Sequence, residues 1–298
     1  MNGITQAQNA TAGQLKQINR LIADAVEKIV ADLGLDKDGA QRVIEHGDEL
    51  VAPIGEKALA MLKDLSVSDK YKDEEVKSAY GYLSGYKKPK GITEQTNILR
   101  QIFPSIGFAD EKLAEREVPK HADNGWFAIP KWQSIAPTYG EAVEIVLRKL
   151  SEAYNGRFQN YREGELGEQY LRQSTKTASA FQKLGEEQNG YDILVVSAQF
   201  GLRHRGRSVR RVREILLGNE FGLGAFAVGI MLLTHHDRLQ NYDDLWIDCV
   251  GDEYAPHADG DFSESPIFDF RDDKLKFDTY EVSDAYDRYG SASGFVPQ

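Results

Sequence analysis

Apolar and polar positions alternate first with the period of a helix. Between residues 11 and 33, Leu15, Ile18, Leu21, Ile22, Ala25, Val26, Ile29, Val30 and Leu33 recur at steps of three and four, which places them on one helical face. Thr11 followed by Gln14 fits a capping box, and Gly34 suits the position just past the last turn. The pattern predicts further helices over 39–50, ending before Pro53, and over 54–65, 74–83 and 93–103, the last stopped by Pro104. The first hundred residues therefore read as a helical bundle with a structural or oligomerising role.

Residues 105–137 carry three prolines and lose helical periodicity after Ala114, so the main boundary is placed near residue 120: a helical module over 1–120, then an α+β domain over 121–298. In the second part TYGEAVEIVLRKL predicts a helix with Ala142, Val143, Val146, Leu147 and Leu150 facing inward, and 170–184 another. YDILVVSA, preceded by Gly190, has the short β-branched character of a buried strand, and LWIDCV of a second. Residues 209–217 read as a helix ending at Gly218. IFDF, KLKFDTYEV and SGFV alternate between Gly, Asp and Ser turns, the mark of a small antiparallel sheet. The fold class expected is α+β.

Composition narrows the function classes. The chain of 298 residues is 41% apolar and 28% charged, ordinary for a globular protein. Its start, MNGITQAQNATAGQ, lacks a basic region and an apolar stretch, so no secretory signal is expected. The most apolar run, 221–233, is thirteen residues with three glycines, too short for a bilayer and suited to a buried helix; no membrane partner is expected. A single cysteine, Cys249, excludes an internal disulfide, and a reducing cytoplasm is the default compartment. The net charge is −11, and residues 237–298 alone carry sixteen acidic and five basic side chains. An acidic tail repels nucleic acid at long range.

Against that charge stands GLRHRGRSVRRVR, residues 201–213, with six arginines. Gly201-x4-Gly206-Arg207-Ser208 nearly spells a phosphate-binding loop between a strand and a helix, but arginine stands where lysine belongs and Arg203, His204 and Arg205 crowd its interior. The loop offers a second use: Arg203, Arg205, Arg207, Ser208, Arg210 and Arg211 as an anion site for nucleic acid or nucleotide phosphates, assisted by Tyr80, Tyr82, Tyr86, Lys87, Lys88 and Lys90 in YGYLSGYKKPKG. The preferred reading is internal. Arg203, Arg205 and Arg207 pair with Asp248, Asp252, Glu253 or Asp259 and staple an acidic sheet to a helical layer.

Other chemistry is thin. His235 and His236 are adjacent and point apart on a helix, His257 with Asp259 and Asp261 lacks the glutamate of a calcium loop, and Cys249 sits in an apolar strand. Glu163, Glu165 and Glu168 lie in a turn. No catalytic residue, metal site or cofactor is expected.

GNEFGLGAFAVGIMLL, residues 218–233, resembles the Asn-x-x-Gly-Leu segment of the formylglycine-enzyme-like branch of C-type lectin folds, at Asn219, Gly222 and Leu223. The closing YGSASGFVPQ is similar in placement to the variable region of target proteins diversified by retroelements. The resemblance covers about the last eighty residues. It implies a rigid lectin-like scaffold displaying changeable side chains to a ligand, and it carries over no catalytic or metal residue. Independently, 259–295 mixes Phe262, Phe268, Phe270, Phe277, Tyr280, Tyr286, Tyr289 and Phe295 with Asp, Ser and Gly, the composition of recognition loops. The expected function is non-enzymatic recognition of a protein or carbohydrate partner, with Tyr280, Tyr286, Asp287 and Tyr289 in contact. Nucleic-acid or nucleotide-phosphate binding through the arginine loop is the alternative.

Overall fold

The computed structural model describes residues 11–65, 70–119 and 125–297. Residues 1–10, with most of the polar start, and residue 120, where the boundary is expected, lie outside them. The chain divides instead between Ser66 and Val67 into two compact units.

In the first unit, α1 (Ala12–Asp32) begins with the capping box read from Thr11 and Gln14, whose backbone N–H donates to Thr11 Oγ1 at 3.3 Å. α2 (Lys37–Glu45) is capped by Asp36, which accepts from Gly39 N at 2.7 Å. α3 (Gly47–Leu65) runs through Pro53 rather than starting after it. The pause falls at His46, beside Gly47, a poor helix former; Pro53 removes one helical hydrogen bond without ending α3. Neither α1 nor α2 contains a buried residue, so the apolar stripe of α1 is at most partly covered, with Ile18, Ile22 and Val26 half-buried and Leu21 63% accessible. The helices form as expected, but these two do not bury a bundle core.

The second unit is α+β. Its helices are α4 (Ile92–Ile102), α5 (Tyr139–Ala153), α6 (Thr175–Glu187), α7 (Val209–Ile215) and α8 (Ala225–Thr234). Its strands are β1 (Gly125–Pro130), β2 (Phe158–Asn160), β3 (Leu171–Gln173), β4 (Ile193–Gln199), β5 (Glu220–Gly222), β6 (Trp246–Asp248), β7 (Asp252–Tyr254), β8 (Glu264–Arg271), β9 (Lys274–Glu281), β10 (Tyr289–Ser291) and β11 (Ser293–Phe295). β1-β4-β11-β5 form a four-stranded antiparallel sheet around the wholly buried β4. The other seven form a mixed sheet in the path β10-β6-β8-β7-β3, with β9 between β8 and β2. The β10–β6 and β2–β9 pairs are parallel, so IFDF and KLKFDTYEV of the expected small antiparallel sheet pair within a larger mixed one, while SGFV, expected with them, forms β11 in the four-stranded sheet.

One predicted helix is absent and another is shifted. Residues 74–83 are extended, held by isolated bridges from Glu75 to Arg207 and from Gly81 to Asp244. The predicted helix over 170–184 starts later, because Leu171, Arg172 and Gln173 pair with β7 and Ser174 caps α6 by accepting from Thr177 N. α4, which the pattern groups with the N-terminal helices, belongs here: Ile92 and Leu99 are buried, and the helix packs on β1 and α8.

The run at 221–233 supplies β5 and the buried helix α8, whose ten residues are all buried. α8 packs on α5 and β1, and Gly229 makes this possible. A Cβ there would stand 2.5 Å from Val146 Cγ1 and 3.6 Å from Phe268 Cζ. Among the described residues no helix is long and apolar enough to cross a membrane.

Alanine normally stabilises a helix interior relative to glycine by about 1 kcal/mol. At Gly229 overpacking reverses the sign, and Gly229→Ala is expected to cost about 1–3 kcal/mol. Val146→Ala in the same chain restores part of it, as a double-mutant cycle by urea unfolding will show. A stabilised Gly229→Ala protein contradicts this packing.

Candidate functional site

The arginine loop leaves β4 through Gly201, whose φ of 116° belongs to glycine. It makes a short 3-10 turn over Leu202–His204 and enters α7 at Ser208, which accepts from Arg211 N at 3.2 Å. Beneath it the backbone of Gly201 meets Gly290, where a Cβ on either residue would lie 2.5 Å from the other's carbonyl oxygen.

The arginines do pair internally, but with other partners than those expected. Arg203 Nε donates to Glu220 Oε1 at 3.1 Å. Arg210 Nε donates to Glu74 at 2.9 and 2.8 Å, and Ser208 Oγ to the same carboxylate at 2.6 Å. Arg207 and Arg211 both engage Glu75. Arg205 donates to the Tyr80 carbonyl at 2.9 Å, and Arg213 to the Val250 carbonyl at 3.1 Å. Of the acidic groups expected to receive them, Glu253 pairs with Arg172, Asp252 accepts from Tyr139 and Ala225, and Asp259 lies in an exposed turn. The reason is the extended course of 74–80. Val76 N donates to Gly206 O and Ser208 N to Glu74 O, which lays two adjacent glutamates along the loop. A helix over 74–83 could not do this.

Glu220, wholly buried, is the innermost of these groups. His204 Nε2 lies 2.7 Å from its Oε1, and Ser293 Oγ donates to the same atom at 2.7 Å. Arg207 Nη1 is 3.4 Å from His204 Nδ1, and a guanidinium only donates. Nδ1 therefore accepts, and the ring is neutral with Nε2–H donating to Glu220. Burial alone would raise the Glu220 pKa, but His204, Ser293 and Arg203 outweigh it and bring the carboxyl down to about 2. Burial, the largest influence on His204, lowers its pKa.

The tyrosine-rich stretch 80–91 is largely turned inward. Tyr82 lies 3.9 Å from the buried Arg238 guanidinium, and Tyr86 packs edge-on against Phe200 and His235. Lys90 Nζ donates to the Thr234 carbonyl at 2.7 Å, while Lys87 and Lys88 are exposed.

The expected contact residues fall together. Tyr289 is buried, with ring centroids of Tyr286 at 4.8 Å, Trp246 at 5.4 Å and Tyr280 at 5.8 Å. The parallel register of β10 on β6 sets Tyr289 opposite Trp246. Asp287 is exposed beside them, and its backbone carbonyl accepts from Ser78. Composition alone does not place Tyr80, Tyr242, Trp246, Arg271 and Arg288 on this face. Arg288 lies 4.4 Å from the Tyr242 ring, 5.0 Å from Trp246 and 5.1 Å from Tyr80. Arg271 lies 5.3 Å from Trp246 and grips Asp269 through two 2.8 Å hydrogen bonds. Tyr242 and Tyr286 remain about half exposed, at 50% and 48%. Trp246 Nε1 and Arg288 Nη1 are buried without a hydrogen-bond partner. Behind the face, burial raises the Asp248 carboxyl to about 7, with Ser291 Oγ 3.4 Å away.

Among the described residues no group of three His, Cys, Asp or Glu side chains could hold a metal. His257, Asp259 and Asp261 lie in an exposed turn. Burial lowers His235 to about 4 and pushes the Cys249 thiol up. What fold and site define together is an α+β chain with an aromatic and arginine face. Comparison with protein-family models, curated proteins and solved structures found no match.

Glu220 and His204 make stability pH-dependent with one sign. The depressed carboxyl contributes stability above its unfolded value, lost as pH falls toward 2, and neutral His204 loses stability as pH falls through its ordinary range. Glu220→Gln is expected to cost about 3 kcal/mol at pH 7 and to flatten the decline between pH 4.5 and 2. Urea midpoints at pH 7 and 3 check this; an unchanged pH slope contradicts it.

Proposed function

We propose that the protein is a non-enzymatic recognition protein whose C-terminal aromatic and arginine face binds a protein partner. The supporting observation is convergence: Tyr80, Tyr242, Trp246, Tyr280, Tyr286, Tyr289, Arg271 and Arg288 meet on one face from separate segments. Tryptophan, tyrosine and arginine are the residues enriched where interface energy concentrates. Buried rings hold exposed ones in place, so little side-chain entropy is lost on contact. The two arginines favour a protein over a neutral carbohydrate at this face, because carboxylates and carbonyls on a partner can answer guanidinium donors. The lectin-like scaffold implied by the last eighty residues belongs to the same proposal. The polyanion reading has less support, since the loop arginines already hold Glu74, Glu75 and Glu220.

A photo-crosslinker at position 287 captures the partner, and its affinity is then measured directly. Tyr286→Ala and Arg288→Ala are each expected to weaken binding about 30-fold or more. Tyr161→Ala, an exposed tyrosine outside the face, leaves binding unchanged. Equal affinities for all three variants reject the face as the contact surface.

A further inference from the structure

We propose that a second site, a cavity of about 790 Å³ between α6, the turn Trp132–Ser134 and the first turn of α8, binds a neutral oligosaccharide. It shares no lining residue with the aromatic and arginine face, and its test is independent of that reading.

The volume lies within the usual range of small-molecule sites. Trp132, Phe181 and Phe226 give it aromatic walls, and the weakly positive C–H faces of a sugar ring lie well against such π-faces. The polar lining consists mainly of carboxamides: Gln133, Gln173, Gln182 and Asn189. A carboxamide offers donors and an acceptor side by side, matching hydroxyl groups that both donate and accept. The charged lining residues are Lys131 and Glu186, of opposite sign. A phosphate, sulfate or carboxylate would therefore gain one cation and meet one anion. The chemistry favours an uncharged, hydroxyl-rich ligand.

Two features keep the site shaped. Ala178, Phe181, Gln182 and Gly185 recur at steps of three and four, so one face of α6 lines the cavity. Glycine inside a helix costs about 1 kcal/mol relative to alanine. At Gly185 an added Cβ would lie 3.5 Å from Lys131 Cε, an ordinary contact, so the position tolerates a methyl group, whereas a longer side chain would compete with the Lys131 stem for the cavity. The aromatic wall is braced from behind. The Trp132 ring stands edge-on to Tyr139 at 6.0 Å, and the Tyr139 hydroxyl is 2.8 Å from both carboxylate oxygens of buried Asp252. Asp252 in turn accepts from Ala225 N at 2.7 Å, fixing the start of α8 and with it Phe226. This chain spans core to cavity and gives Tyr139 and Asp252 a positioning role.

The test is a glycan array of neutral and acidic oligosaccharides, followed by calorimetry and tryptophan fluorescence with the neutral tri- and tetrasaccharides that bind, and with adenosine and sialyllactose as comparisons. Trp132 is only partly buried whereas Trp126 and Trp246 are buried, so ligand contact is expected to alter Trp132 emission most. Trp132→Leu and Gln173→Leu are expected to lower affinity about tenfold or more. Gly185→Leu, a change toward better helix propensity, is expected to block the cavity while the protein stays folded by circular dichroism. Tyr286→Ala leaves sugar affinity unchanged. The proposal is overturned if no neutral glycan binds at up to about 10 mM, if Trp132→Leu and Gly185→Leu bind as the parent does, or if only acidic glycans or adenosine bind.

Discussion

The pairing of arginine with carboxylate around residues 201–211 is the constraint on which the second unit is assembled. The chain crosses between its two sheets at Ala292, with β10 in the mixed sheet and β11 in the antiparallel one. The arginine loop lies against that crossing. Gly206 N donates to Tyr289 O, Arg205 bridges to Gly290, and Gly201 and Gly290 touch backbone to backbone. Glu220 in β5 holds Arg203 and His204 on one side and Ser293 in β11 on the other. Neutralising the loop thus fixes the place where the sheets join, and that place sets Tyr289.

The pairs differ in weight. Arg210 with Glu74 and Arg207 with Glu75 are partly exposed, with side-chain accessibilities from 21% to 40%, and such pairs contribute about 0–1 kcal/mol each. Their effect is cumulative, since each also anchors the extended segment that delivers Tyr80 to Arg288. Glu220 is different. Its charge is wholly out of water, so removing one partner exposes the chain to the desolvation cost of the rest.

Local signals in the sequence carried the elements whose stability is local. The Thr11 capping box, the inward face of α5 and the β-branched run of β4 all stand where the pattern puts them. Elements decided by partners were not legible. Residues 74–83 have helical spacing, yet their glutamates gain more along the arginine loop. Leu171 and Gln173 enter a strand because β7 offers an open edge. At the aromatic face the tyrosines at 280, 286 and 289 were visible from composition. Trp246 was not, because its place beside Tyr289 follows from a parallel pairing between strands over forty residues apart.

Buried acidic groups serve different ends in this chain, and their surroundings decide which. Glu220 keeps its charge because four donors, from Arg203, His204, Ser293 and the Leu217 backbone N–H, converge on it. Asp252 is equally buried and is raised to about 7, above all by burial, yet it still receives Tyr139 and Ala225 N–H. One carboxyl therefore secures a charged loop, while the other orders an aromatic ring and a helix start beside an uncharged cavity. The separation has a consequence for recognition. Guanidinium groups and aromatic rings are concentrated on the C-terminal face, where a partner's carboxylates and carbonyls can meet them. Carboxamides and aromatic rings line the cavity, where charge is balanced and hydroxyl groups fit. α8, buried along its whole length, brings Phe226 and Ala227 to the cavity, and the arginine-bearing face and the neutral groove share no side chain.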